Sequence, residues 1–202
     1  MTRLFNSLMT LMIPVLLGVT SIATPVLNRG ILPTAGAVTD VASRTDNTCA
    51  DPSLADVVIE AFSGSKLAHF IHFRSAFVNG DSLQTAGPPL WSFQGPVFKA
   101  WRTQQPFTVP LFSLVTPASN DLVFLIGSDA QTPPIFNGFV NNGLVAWVYD
   151  TAVCGSVPLL SAVLAAQSDH YWTANVNEHA DLLAHGWADG GVVAYVLPLA
   201  SL

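Results

Sequence analysis

The sequence predicts an all-β fold, a trefoil-like domain of three repeats of about 48 residues, and three observations carry that prediction. One offset of 48 residues superimposes Val109-Pro110-Leu111 on Val157-Pro158-Leu159, Asp121-Leu122-Val123-Phe124 on Asp169-His170-Tyr171-Trp172, Gly138-Phe139 on Gly186-Trp187, and Val145-Ala146-Trp147-Val148 on Val193-Ala194-Tyr195-Val196. Between these points run short β-branched and aromatic stretches divided by turn residues such as Asn141-Asn142-Gly143 and Asp189-Gly190-Gly191, which is strand grammar. Half of the 202 residues are hydrophobic and only 10% are charged, which leaves ample apolar surface for a packed core. Three units of four short strands fit a trefoil, a closed barrel without free edges; a small propeller-like ring is the alternative, and propellers usually need more blades.

Taken in chain order, the N-terminus reads as a secretory signal. Arg3 is the only charge before Arg29, Leu8–Val19 is an apolar core, and Ser21-Ile22-Ala23 offers small residues for cleavage after Ala23. The core is too short for a membrane span, which needs roughly 20 apolar residues. Residues 24–53 carry Pro25, Gly30, Pro33 and Gly36 without strand or helix periodicity, so they read as a propeptide or an irregular arm. Residues 54–202 then form a single β-rich domain. Its units span 56–102, 109–150 and 157–198; the first matches at its opening only if the offset grows to 53, with five extra residues in the loop Phe77–Pro88. Within the third unit, Asn175 followed by Glu178 marks a helix start, and Gly186 stops the short helix that follows. Pro133-Pro134 makes the matching span of unit two a loop.

Cleavage after Ala23 removes Arg3 and takes the formal charge from −6 to −7. With no basic cluster, nucleic acid and anionic lipid are poor partners. Cys49 and Cys154 are the only cysteines. In an oxidising compartment such a pair bridges more often than it remains two free thiols.

Asp169, His170, Tyr171, Trp172 and Asn175 form the leading candidate site, with Trp187 or Asp189 beside it. An aromatic plane next to carboxylate and amide groups suits a sugar, because the ring covers the C–H face while polar groups take the hydroxyls. The bland reading is that the aromatics fill the core. Trp91, Phe139 and Trp187 share one repeated slot and read as core, as do Trp101, Trp147 and Tyr195. His69 and His72 are spaced three apart, so on a strand they diverge and no metal set is completed. No nucleophile elbow, paired catalytic carboxylates or Gly-rich nucleotide loop is legible; no catalytic residue, cofactor or metal is expected.

The third unit, with Val157-Pro158-Leu159, Asp169-His170-Tyr171-Trp172-Thr173, Asn177-Glu178-His179, Gly186-Trp187 and Val192-Val193-Ala194-Tyr195-Val196, resembles a family of secreted repeat domains of unknown function. That family is frequent in mushroom-forming fungi and is found attached to bacterial cell-wall and extracellular enzymes. Its repeats look like V-P-L-Y-R, D-H-F-Y-T-T, a helical turn, a Gly-aromatic and G-I-A-G-Y-V. Unit two departs by putting Leu122-Val123 for the His-aromatic pair, and unit one keeps His69-Phe70 but lacks the leading Val-Pro. The resemblance implies secretion and association with wall or other glycans. A non-enzymatic, lectin-like protein is therefore the leading expectation. The alternative is a protein-binding module, such as a protease inhibitor using loop Phe77–Pro89 or Gln131–Gly138, or a structural or effector protein.

Overall fold

In a computed structural model, which describes residues 49–84 and 87–199, nine strands form three antiparallel sheets of three. The first contains β1 (Asp56–Ser63), β2 (Ala68–Phe73) and β3 (Ser92–Ala100), with β1 in the middle. The second contains β4 (Val109–Val115), β5 (Leu122–Ile126) and β6 (Val140–Val148), with β4 central. The third contains β7 (Val157–Leu164), β8 (Asp169–Thr173) and β9 (Ala188–Val196), with β7 central. The protein is thus all-β in class. Each sheet has three strands rather than the four expected per unit, and among the described residues no continuous barrel closes. The expected signal peptide (1–23) and the lead-in as far as residue 48 lie outside the described residues.

Register is the same in the three sheets. Ala61 faces Phe70, Leu114 faces Val123, and Ala162 faces Tyr171. The closing strands carry two bulges each at matching places, leaving Gln94 and Val97, Asn142 and Val145, and Gly190 and Val193 without partners. A bulge sets two residues against one and bends the strand. The segments Asn141-Asn142-Gly143 and Asp189-Gly190-Gly191, expected as turns, are therefore bulges inside β6 and β9. Gly143 and Gly191 accept φ of +117° and +81° there, values that a side chain would resist.

The sheets are joined in a cycle. Trp101 at the end of the first sheet bridges Trp147 of the second, Tyr149 bridges Tyr195 of the third, and Leu197 bridges back to Lys99. Each bridge is a reciprocal pair of backbone hydrogen bonds of 2.8–3.2 Å. Inside this cycle the matching residues Val58, Leu111 and Leu159 are wholly buried in one shared cluster with Phe98, Ala146 and Val196. A smaller cluster of Trp101, Trp147 and Tyr149 packs with Ala50 and Cys154. Cys49 and Cys154 are disulfide-bonded, with Cα atoms 5.7 Å apart.

Two helices depart from the strands. α2 (Val176–Ala184) begins where expected, with the Asn175 side chain accepting from the Asn177 and Glu178 amides. The first sheet also carries a helix, α1 (Arg74–Ser82), in a stretch whose sequence gives no helix signal. Its N-cap is Phe73, which makes no side-chain cap bond, so the usual start signal is missing. Tertiary packing supplies what the cap does not: Phe77 is buried against Phe70 and Trp91.

Candidate functional site

The Asp169-His170 pair does not form one site; its two side chains leave for different neighbours. Asp169 accepts from His69 of the first sheet at both the ring Nδ1 (2.8 Å) and the backbone amide (3.0 Å). His170 donates from Nδ1 to Asp121 of the second sheet at 2.7 Å. Both hydrogen-bonded pairs are largely buried. Adjacent strand residues point to opposite faces, so an Asp-His dipeptide on β8 can grip both flanking sheets at once. The remaining junction would place Leu122 against Ala68, since these residues hold the matching positions. Both members of that pair are apolar and buried in the main cluster. Asp169 and His170 are accordingly clasps between sheets, and neither lines the cleft at Tyr171.

Beside the first of these clasps a cleft of about 270 Å³ opens between the third and first sheets. Tyr171, Trp172 and Thr173 of β8, with Asn175 and Glu178 at the start of α2, form one wall. Glu60 of β1 and Gln94, Gly95, Pro96 and Val97 of β3 form the other. Tyr171 donates from its hydroxyl to Glu178 Oε1 at 3.0 Å, and the Thr173 hydroxyl donates to Glu178 Oε2. Glu60 is only 2% exposed, and its Oε1 has no hydrogen-bond partner. Burial pushes its carboxyl up to about 8, against the opposing pull of the Tyr171 hydroxyl and Trp172 amide. The charge of Glu178 raises it further. Tyr171 is pushed up in turn by burial and by the two carboxyls that face it.

A family model described as a domain of unknown function, DUF5648, matches residues 58–197. The chain belongs to the DUF5648 family. No curated protein and no solved structure matches it.

Within this DUF5648 domain the sequence candidates separate into groups. Tyr171, Trp172 and Asn175 come together at the cleft. Trp172, however, is 1% exposed, with its ring 4.5 Å from that of Phe124, so it is a core residue whose edge closes the cleft floor. Tyr171 is half-buried and lines the cleft. Trp187 stands behind it, 6.1 Å between ring centroids, and also packs on His69. Asp189 lies apart in the β9 bulge, exposed, accepting from the Gly191 amide and 3.5 Å from His179. Glu60, Gln94 and Glu178 line the cleft although no sequence motif marks them as ligand groups. A signal for Glu60 does lie in the offset, since it aligns with Ser113 and Ser161, both buried. A glutamate in a slot filled elsewhere by serine marks extra room or an extra role.

Among the described residues, no group of three or more His, Cys, Asp or Glu could hold a metal ion. Nor is any helix there long and apolar enough to cross a membrane.

A second titratable group offsets Glu60. His72 is held down at about 4, first by burial and then by the charge of Arg102. Its ordinary value is 6.5, and that of Glu60 is 4.5. From pH 6.5 to 8 the folded state retains the Glu60 proton that the unfolded chain has released, so stability falls as pH rises. The loss is roughly 2 kcal/mol across that window. Between 4.5 and 6.5 the unfolded chain protonates His72 while the folded state protonates Glu60; the two cancel and stability is level. Below 4.5 the unfolded chain binds both protons and stability declines again. Chemical denaturation across this range should show that plateau, and Glu60→Gln should abolish the loss above 6.5. An unchanged alkaline slope in the variant would assign it to another group.

Proposed function

We propose that this chain is a secreted, non-enzymatic saccharide-binding protein whose ligand seats in the cleft between β8–α2 and β1–β3. The observation that carries this reading is the cleft's lining: the half-buried Tyr171 stands among Gln94, Asn175 and Glu178, with Glu60 behind. Its volume is near the lower end of the range for ligand sites, roughly 300–1,000 Å³, and suits one sugar ring. The disulfide accords with an oxidising compartment. The charged, apolar and small-residue order of residues 1–23 accords with export, which would bring the protein next to wall polysaccharide. Nucleic acid and membrane remain poor partners on charge grounds.

Titration against a panel of oligosaccharides tests the proposal. Tyr171→Ala is expected to weaken binding about tenfold or more, with some loss of stability because the half-buried ring packs on His69 and Trp187. Binding to no saccharide, or binding indifferent to the substitution, would end it. Trp172→Ala is not a clean probe, because it excavates the core.

One observation favours a second reading, a protein-binding module. Ile135 is 95% exposed and Phe136 44% exposed, next to Pro133-Pro134 in the loop Gln131–Gly138. Proline stiffens such a loop and apolar tips suit a protein groove. Inhibition of a protease that Ile135→Asp relieves would support it. Loop Phe77–Pro89 is a poorer candidate, because Phe77–Ser82 is helical.

A further inference from the structure

We infer that the ligand of this cleft bears a primary ammonium group: an amino sugar with a free amine, the ammonium seated between Glu60 and Glu178. This rests on the saccharide reading above and narrows it to a ligand class.

The starting point is the Glu60 carboxyl. A buried oxygen without a partner is costly, and folded proteins leave few such groups. Glu60 Oε1 is such an oxygen, on a side chain 2% exposed that lines the cleft. Nothing on the cleft walls can satisfy it with a positive charge, since no Lys, Arg or His lines the cleft. Arg102, the cation whose charge acts on nearby His72, is engaged with Asp56 at 2.7 Å and stacked on Phe73.

Opposite stands Glu178, fixed by two hydroxyl donors from the same strand. The side-chain amide of Gln94 adds a carbonyl acceptor at the rim, while Asn175 Oδ1 is taken up by the α2 cap. An ammonium is a compact charge with three donors and no acceptor. Two carboxyls with a flanking amide carbonyl are its natural complement, and its charge would favour an ionised Glu60 carboxylate. A neutral sugar can supply hydroxyl donors but cannot offset that charge. An N-acetylated sugar has neither the charge nor the three donors.

The molecule contains its own comparison. The matching cleft between the second and third sheets, of about 330 Å³, has Val123, Phe124 and Leu125 where the first has Tyr171, Trp172 and Thr173. Ser161 and Gly190 there replace Glu60 and Gln94. No carboxyl lines it. Ammonium binding should therefore occur once per chain.

Calorimetric titration of the full disulfide-bonded chain with glucosamine tetramer, N-acetylglucosamine tetramer and cellotetraose tests this. The expected result is one glucosamine tetramer per chain, bound about tenfold tighter than the other two, and loss of that preference in Glu60→Gln. Glu178→Gln, at an exposed position, provides a second variant with little risk to folding, and it should narrow the preference too. Equal or tighter binding of the acetylated or neutral oligomer would overturn the inference and leave the saccharide reading standing. Binding of none would overturn both. A preference for glucosamine that survives both substitutions, or several oligomers per chain, would assign the attraction to the acidic surface and overturn the inference.

Discussion

Asp169→Ala is expected to lower the unfolding free energy by roughly 3 kcal/mol or more, and His69→Leu added to it should return much of that loss. The first substitution strands the His69 ring and its backbone amide, both of which donate to the Asp169 carboxylate. Removing one member of a buried pair leaves the other desolvated and unpaired, which is the costly case. Removing both, with apolar groups of suitable shape, is often close to neutral. The protein already contains that solution, for the matching positions of the remaining junction are Ala68 and Leu122, 1% and 4% exposed. Return of stability will be incomplete because the backbone amide of residue 69 stays without its acceptor and because His69 also packs on Phe62, Tyr171 and Trp187. Urea midpoints of the wild type, both single variants and the double variant give the coupling energy directly. If Asp169→Ala costs no more than about 0.5 kcal/mol, the ordinary range for surface changes, the clasp is idle.

Replacing Cys49 and Cys154 by serine should cost about 4–5 kcal/mol by loop-closure entropy, since the bridge spans 105 residues. For a chain of this size that is a fall of roughly 10–20 °C in Tm. The effect is local as well as global. The bridge holds the segment before β1 against the smaller aromatic cluster, where the Ala50 amide donates to the Tyr149 hydroxyl and Trp101 Nε1 donates to the Asp51 carbonyl. Tryptophan fluorescence should therefore report early exposure of Trp101 and Trp147 in the variant. An identical thermal transition with and without reductant would refute the stabilising role.

The class of the fold and the cysteine pairing are legible in the sequence because each has a local or compositional sign. Alternating short runs bounded by glycine and asparagine announce strands, and two lone cysteines have one way to pair. Where strands end is less legible. Asn142-Gly143 and Gly190-Gly191 carry turn chemistry, but a bulge asks for the same residues in the middle of a strand. Helix α1 has no local sign at all, because packing of Phe77, rather than a cap, sets it in place. The site is half legible. The β8 motif draws attention to Tyr171 and Asn175, yet periodicity cannot tell that Asp169 and His170 reach across to other sheets. Nor can it place Glu60, more than a hundred residues earlier, against Tyr171. Contacts between distant segments are decided by how the sheets assemble, and a single strand carries no record of its neighbour.

The cycle of backbone bridges also bears on synthesis. A chain emerging from the ribosome can pair Trp101 with Trp147 once the second sheet is out, and the sulfur link can follow as soon as residue 154 clears. The seam between Lys99 and Leu197 must wait until β9 and the residues just after it have emerged. Until then the nascent protein is an open arc, covalently locked at one end, with apolar edges bare at the other. A chain stopped short of β9 would remain a target for chaperones and proteases.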